Sequence, residues 1–418
     1  MNPPFAGSIP SLLVAAVGAC MLLPQPAKAQ DVPAQARPPL HVKQDNRPPV
    51  GFVRPPLYAL GATPTASATP SSGAFTPAQI RTFYGPPYSN GGGFTIAIVD
   101  AYDNPNAETD LKTFSSQFGL PLMPSCSYKN GQPVLNGGCF VKIPGSGRSL
   151  PSADQTWALE IALDVQWAHA IAPGSNILLI EAKSNGFSDL LAAVDKVVKL
   201  GANVVSMSWG GREFSSETTL DSHFCGKNTV FFSSSGDSGF GPDYPSTSPC
   251  VISVGGTTAS TDSSGSYLGE TAWSGSGGGA SIYEPIPAAQ SQSAYVGSKW
   301  GNMRVTPDVA YVADPNTGFN VYDSYGYGGQ TGWFQLGGTS AGSPQWAALF
   351  ATSQRASWSG NLSLVYKAAN SYTSNFHDVT NGSNGTCGTQ CTAQTGFDLV
   401  TGLGSPQTTN LTQYLRYN

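Results

Sequence analysis

The stretch from Asn176 to Ser208 reads NILLIEAKSNGFSDLLAAVDKVVKLGANVVSMS. Asn176 to Ile180 is a short apolar run of strand type, and Asn203-Val204-Val205-Ser206-Met207-Ser208 is another. Between them Ser188 is placed to N-cap a helix that Gly201 closes. Apolar strands that alternate with helices predict a parallel sheet covered on both faces. The same alternation continues outward in both directions. Phe94-Thr95-Ile96-Ala97-Ile98-Val99 is a strand ending at Asp100, and residues 106–118 read as a helix. Thr229-Val230-Phe231-Phe232 and Val251-Ile252-Ser253-Val254 are further strands, and Ala341 to Thr352 reads as a long buried helix. The expected fold class is α/β, and groups that do chemistry in such sheets gather at the strand C-termini.

The composition agrees with one large folded body. Of 418 residues 40% are hydrophobic and 11% charged, enough apolar material for a core. Twenty Lys+Arg against 25 Asp+Glu leave a net charge of −5, with no basic run to meet a row of phosphates, so nucleic acid is excluded as a partner. Near the start, Leu12 to Leu23 is an apolar run of 12 residues, too short for the ~20 of a membrane span. With Ala27-Lys28-Ala29 behind it, it reads as a signal peptide over 1–29, although no Lys or Arg precedes it. Val17-Gly18-Ala19-Cys20 offers the alternative of a lipid anchor on Cys20. Either reading exports the protein, secretion being the expected outcome. Residues 30–74 carry Pro38-Pro39, Pro48-Pro49 and Pro55-Pro56 and read as an extended Pro-rich linker or tail, with the folded domain over 75–418. Six cysteines remain after cleavage, and closing them as sequence-local pairs, Cys126 with Cys139, Cys225 with Cys250 and Cys387 with Cys391, is the simplest of 15 connectivities.

Three segments carry chemistry. In Gly337-Gly338-Thr339-Ser340-Ala341-Gly342-Ser343-Pro344 the glycines allow a sharp turn and Pro344 suits the first turn of a helix, so Ser340 stands where a helix dipole favours a developing alkoxide. A plain N-cap serine is the competing reading. A serine nucleophile needs a base, yet none of the four histidines, His41, His169, His223 and His377, has the setting of one. The helix around Trp157 to Trp167 instead carries Glu160 and Asp164 four residues apart, on one face of an otherwise apolar cylinder and flanked by the two indoles. His169 is nine residues from Glu160, which puts it on the opposite face. Two buried acids so close do not both stay ionised at low pH. The third segment is Ser235-Gly236-Asp237-Ser238-Gly239, at the end of the 229–232 strand. A protonated Asp237 would donate to an oxyanion, and an ionised one would repel it. Gly-Asp-Ser-Gly also resembles the nucleophile segment of chymotrypsin-like proteases, with Ser238 attacking, but Phe240 follows and the sheet is parallel.

Taken in order, Glu160-x-x-x-Asp164, Ser-Gly-Asp237-Ser-Gly and Gly-Thr-Ser340-Ala-x-x-Pro resemble the sedolisin family of serine-carboxyl peptidases. The resemblance runs from Phe75-Thr76-Pro77-Ala78-Gln79-Ile80-Arg81 to Gly402-Leu403-Gly404-Ser405-Pro406. It implies a subtilisin-like three-layer fold with a mostly parallel central sheet. It further implies Ser340 as nucleophile, Glu160 as general base, Asp164 as the group orienting that base, and Asp237 as oxyanion donor. A carboxylate base remains usable in acid where imidazole is protonated, so the implied activity is acid-acting endopeptidase action on protein or peptide substrates through an acyl-enzyme.

From the same resemblance, Asp378 and Asp398 with main-chain oxygens of Val379, Gln394 and Gly396 would bind one Ca²⁺, a hard-oxygen set suited to that ion. The Asn381 to Cys391 insertion departs from the family there. Ser206, Ser208, Trp209 and Gly210 would offer a strand edge to the substrate backbone, with Gly275 to Gly279 beside it. A monomer is expected. Family members commonly carry a long folded pro-domain, for which the roughly 45 residues before the domain are too few. Two rivals stay open: a triad of Asp100, His169 and Ser340, and a catalytically silent binding or surface protein on the same fold.

Overall fold

In the computed structural model the described residues are 48–60, 65–130, 132–355 and 361–418. The expected signal peptide, Cys20, His41 and the first part of the Pro-rich segment lie outside them. Eight strands form the main sheet. Seven follow one another in the order Tyr267–Ala272, Val251–Thr261, Val230–Ser234, Val204–Met207, Thr95–Ala101, Asn176–Ala182 and Phe140–Pro144, and Val309–Val312 joins alongside Val251–Thr261. Every pairing is parallel except that between Val251–Thr261 and Tyr267–Ala272. The βαβ unit anticipated over 176–208 is present, its helix spanning Phe187–Lys199.

Alternation along the strands builds two cores. Ile96, Ile98, Ile177 and Leu179 pack on one face with Leu159 and Leu163, while Ala97, Val99, Leu178 and Ile180 pack on the other with Leu190 and Val194. Because both faces are covered, the strands are apolar throughout, and the three layers follow. The helix Gln155–Ile171 starts at Asp154, whose carboxylate accepts the amides of Thr156 (3.0 Å) and Trp157 (3.1 Å). It is wedged among the helices Ala107–Phe118 and Gly342–Ser353 and the strand Phe319–Tyr327, which is why it is apolar all round.

Two local expectations shift. Gly186, not Ser188, caps the Phe187–Lys199 helix; Ser184 Oγ accepts its amide (3.3 Å) and donates to Asp189 Oδ2 (2.6 Å), leaving Ser188 inside the first turn. The described part of the segment expected as a tail runs against the body. Tyr58–Ala59 pairs antiparallel with the strand Gln330–Gly337, which in turn pairs with Phe319–Tyr327. The three sequence-local cysteine pairs are joined as disulfides. Among the described residues no helix is long and apolar enough to cross a membrane.

Candidate active site

One turn apart on the Gln155–Ile171 helix, Glu160 and Asp164 are both fully buried. Asp100 approaches from the C-terminal end of the Thr95–Ala101 strand and is equally enclosed. None of these six carboxyl oxygens meets a partner in ordinary hydrogen-bond geometry among the described residues. They nevertheless act on one another at short range. Burial pushes Glu160 well above the usual carboxyl value, the charge of Asp100 adds to this, and the hydroxyl of Ser340 opposes it. Burial and then the charge of Glu160 raise Asp164, against the hydroxyl of Ser208. Burial and then Asp164 raise Asp100. Acids gathered in so dry a place share protons and carry few charges between them.

Ser340 sits in a single 3₁₀ turn, Thr339–Ala341, that leads directly into the helix Gly342–Ser353. The positive dipole end of that helix therefore lies beside its hydroxyl. Gly338, at φ +115°, makes the turn possible; a Cβ there would lie 2.1 Å from Pro56 O and 2.6 Å from Asp237 Oδ2. Asp237 follows the Val230–Ser234 strand after Gly236, itself at φ +104°. Its Oδ1 accepts the amide (2.8 Å) and the hydroxyl (2.7 Å) of Thr339. Its Oδ2 is buried without a hydrogen-bond partner among the described residues. Burial lifts this carboxyl to about 7 in spite of the two Thr339 bonds, so it holds its proton in acid.

Ser340, Glu160, Asp164 and Asp237 thus converge, and Asp100 joins them. Spacing reasoning had linked Asp100 only to the histidine-based rival; its position at the end of a central strand was the available signal. Thr339 is a second omission, since nothing in a Gly-Thr-Ser string announces a clamp on a distant aspartate.

No described histidine serves Ser340. His169 Nε2 donates to Pro121 O (2.9 Å) on the far side of its helix, His223 pairs with Asp195 (3.0 Å), and the His377 ring stacks on Tyr267 at 4.0 Å. Ser238 is exposed and accepts from Arg54 Nη2 (2.8 Å).

The four residues of the expected substrate edge divide. Ser206 Oγ bonds Ser343 Oγ (2.8 Å) and Trp209 Nε1 donates to Val99 O (2.8 Å), both within the core. Ser208 Oγ donates to Ser340 O (3.3 Å), and the backbone of Gly210 pairs with that of Arg54. The Gly275 to Gly279 loop packs beside Gly236, whose carbonyl accepts the Gly277 amide (2.7 Å).

In the C-terminal loop, Asp378 accepts the Gly396 amide (3.0 and 3.1 Å) and the Tyr372 hydroxyl (3.0 Å). Asp398 is fully buried and accepts amides of Gln394 (3.0 Å), Val400 (2.8 Å) and Thr401 (2.9 Å). Burial still raises it to about 6, despite those amides. Among the described residues no three acidic, histidine or cysteine side chains cluster as metal ligands, so a cation here would rest on two carboxylates and main-chain oxygens.

Known proteins resemble this chain in sequence and fold. The family model described as "Subtilase family" matches residues 157–384, a span that includes Glu160, Asp164, Asp237 and Ser340. Sedolisin of Pseudomonas sp. (strain 101) is 31% identical over 365 residues, covering 78% of this chain and 58% of sedolisin. Kumamolisin of Bacillus sp. (strain MN-32) is 30% identical over 390 residues, covering 84% of this chain and 64% of kumamolisin. The chain therefore spans about three fifths of the length of these relatives. The solved structure of Pseudomonas sedolisin, described as a serine-carboxyl proteinase complexed with two molecules of pseudo-iodotyrostatin, is 29% identical with a TM-score of 0.66, covering 85% of this chain and 99% of that one.

Proposed function

The chain belongs to the subtilase family, with the sedolisins among its relatives, and from that premise we propose that it is an exported, acid-acting serine-carboxyl endopeptidase. The observation that carries the proposal is that carboxyl groups, and no described imidazole, surround Ser340. Ser340 Oγ attacks the carbonyl carbon of the substrate while Glu160 accepts its proton. Asp164, one turn along the helix, orients Glu160 and shares the proton of the pair. The tetrahedral oxyanion is held by the Ser340 amide and by protonated Asp237, whose Oδ1 is anchored on Thr339 so that Oδ2 faces the carbonyl position. Glu160 then passes the proton to the leaving amine, and water releases the acyl group from Ser340. The requirement that Asp237 stay protonated confines the reaction to the acid side of about 7.

We also propose that Asp378 and Asp398, with main-chain oxygens of Val379, Gln394 and Gly396, hold one Ca²⁺. The buried Asp398 carboxyl and an all-oxygen donor set fit such an ion, which would brace the loop and take no part in the reaction. A chelator should then lower the melting temperature, and added Ca²⁺ should restore it. Substrates are protein or peptide chains, and the enzyme acts as a monomer. The test of the mechanism is acid quenching of the wild type during turnover, followed by mass analysis of the peptide containing Ser340. An acyl adduct on Ser340 is expected; turnover with an unmodified Ser340 and an adduct on another residue would overturn it.

A further inference from the structure

The segment from Asn381 to Ala393 folds back on itself and docks against the loop that carries Asp237. Ser383 bridges Thr392 in antiparallel sense, the Asn384 amide donates to Cys391 O (2.9 Å), the Ala393 amide donates to Gly382 O (3.0 Å), and the Cys387–Cys391 disulfide closes the end. At its base the Ala272 amide donates to Asn381 O (2.8 Å). Of residues 381–392 only Asn384 and Cys391 are buried. A surface loop in need of an anchor alone is better served by an apolar side chain, since a buried amide is costly wherever it lacks hydrogen bonds. Asn384 is 5% exposed, and its Oδ1 has no hydrogen-bond partner among the described residues. The side chain is retained there for what its donor holds.

That donor, Nδ2, reaches Ser276 O (2.8 Å), and the main-chain oxygen of the same residue accepts the Phe240 amide (3.1 Å), three residues past Asp237. Asn384 therefore ties together two loops that also hold each other. The Gly277 amide donates to Gly236 O (2.7 Å), the Gly239 amide to Gly275 O (3.0 Å) and the Gly241 amide to Gly278 O (2.8 Å). The approach is close enough that a Cβ on Gly239 would lie 2.6 Å from Asn384 O. Asp237 stands between Gly236 (φ +104°) and Gly239 (φ +77°), residues with the widest conformational freedom unless their neighbours restrain them. Thr339 fixes the carboxyl group of Asp237, and these contacts fix the backbone that carries it.

We propose that Asn384 is a positioning residue for the oxyanion donor, holding the Asp237 loop through the Phe240 amide and the Ser276 carbonyl. The proposal rests on the serine-carboxyl reading above, in which Asp237 Oδ2 donates to the oxyanion. A bond made at one point in the reaction depends on placement, and a misplacement of about 1 Å costs about 10²-fold in rate. The Cys387–Cys391 disulfide has a part in this, because Cys391 O is the acceptor that sets the Asn384 main chain.

The experiment is a double-mutant cycle in the full chain, with kcat and KM measured on a peptide substrate at pH 4 and the folded fraction and melting temperature by calorimetry. Asn384→Ala, which removes the donor to Ser276 O, should lower kcat per folded molecule about ten-fold with KM within about two-fold. Added to Asp237→Ala, it should lower kcat by less than about two-fold, because the group it positions is already gone. Cys387→Ser and Cys391→Ser together, which open the loop and leave Asn384 in place, should lower kcat about three-fold or more with the same lack of additivity, and they answer the question where Asn384→Ala does not fold. Wild-type kcat per folded molecule in Asn384→Ala, whatever its melting temperature, or a loss that multiplies with that of Asp237→Ala, overturns the proposal and leaves the peptidase reading standing. Asp237→Ala that turns over as fast as wild type, or wild type that cleaves nothing, sinks that reading and the proposal with it.

Discussion

Asp237 is bound twice to Thr339, the residue immediately before Ser340, through one carboxyl oxygen that accepts both the amide (2.8 Å) and the hydroxyl (2.7 Å). The nucleophile and the oxyanion donor are therefore positioned by the same turn. Asp237→Ala should lower kcat by about 10²–10³ with little change in KM, since the bond it removes strengthens only as charge develops on the oxygen. Steady-state kinetics at pH 4 on a peptide substrate check this.

The alkaline limb of the pH profile follows from the same group. Its carboxyl titrates at about 7, raised chiefly by burial, and donates only while protonated. Activity should fall as pH rises through about 7. In Asp237→Asn the amide donates at every pH, so that limb should move to higher pH while activity in acid is retained within about ten-fold. A profile with an unchanged upper limb would remove Asp237 from the role.

Asp100 governs the acid side. Its charge is the largest electrostatic influence raising Glu160, after burial. Asp100→Asn removes a competitor for the negative charge that the buried acids share, so Glu160 is ionised in a larger fraction of molecules at a given pH and the acid limb should shift downward. The comparison of kcat/KM between pH 2 and 6 in wild type and variant measures the shift, and a limb that moves upward contradicts the assignment.

Away from the active site, a second group of buried acids ties stability to acidity. Burial, followed by the charge of Glu213 among the effects that raise it, lifts Glu217 to about 9, and burial followed by the charge of Asp221 lifts Glu284 to about 8. Because the folded-state values lie above the unfolded ones, this contribution is complete below the ordinary carboxyl range near 4.5 and is lost as pH rises toward 8 to 9. The melting temperature should therefore be highest in acid and fall across that window. Glu284→Gln, neutral at every pH, should flatten the fall when calorimetry is run from pH 3 to 9.

Much of this was legible in the chain itself, for physical reasons. A helix buried on all sides has no use for two carboxyls four residues apart unless they do chemistry, so Glu160 and Asp164 stand out against Trp157, Leu159 and Leu163. The glycines around Ser340 mark a turn that side chains would block, as the Cβ distances at Gly338 bear out. Long-range pairings were not legible. The sequence Arg54-Pro55-Pro56-Leu57 has the composition of a tail, and its place beside Gly210 and Ser340 depends on edges about 150 and 280 residues away. The cap at Gly186 escaped because Ser188 fits the usual cap chemistry, while the working hydroxyl belongs to Ser184.

The central claim is that a carboxylate, not an imidazole, activates Ser340. Its most direct test is hydrolysis of a denatured protein from pH 2 to 8 by wild type, Glu160→Ala, Ser340→Ala and His169→Ala. Activity confined to acid, abolished by the first two changes and retained in His169→Ala is the predicted result. A neutral optimum that survives Glu160→Ala and disappears in His169→Ala would contradict the account.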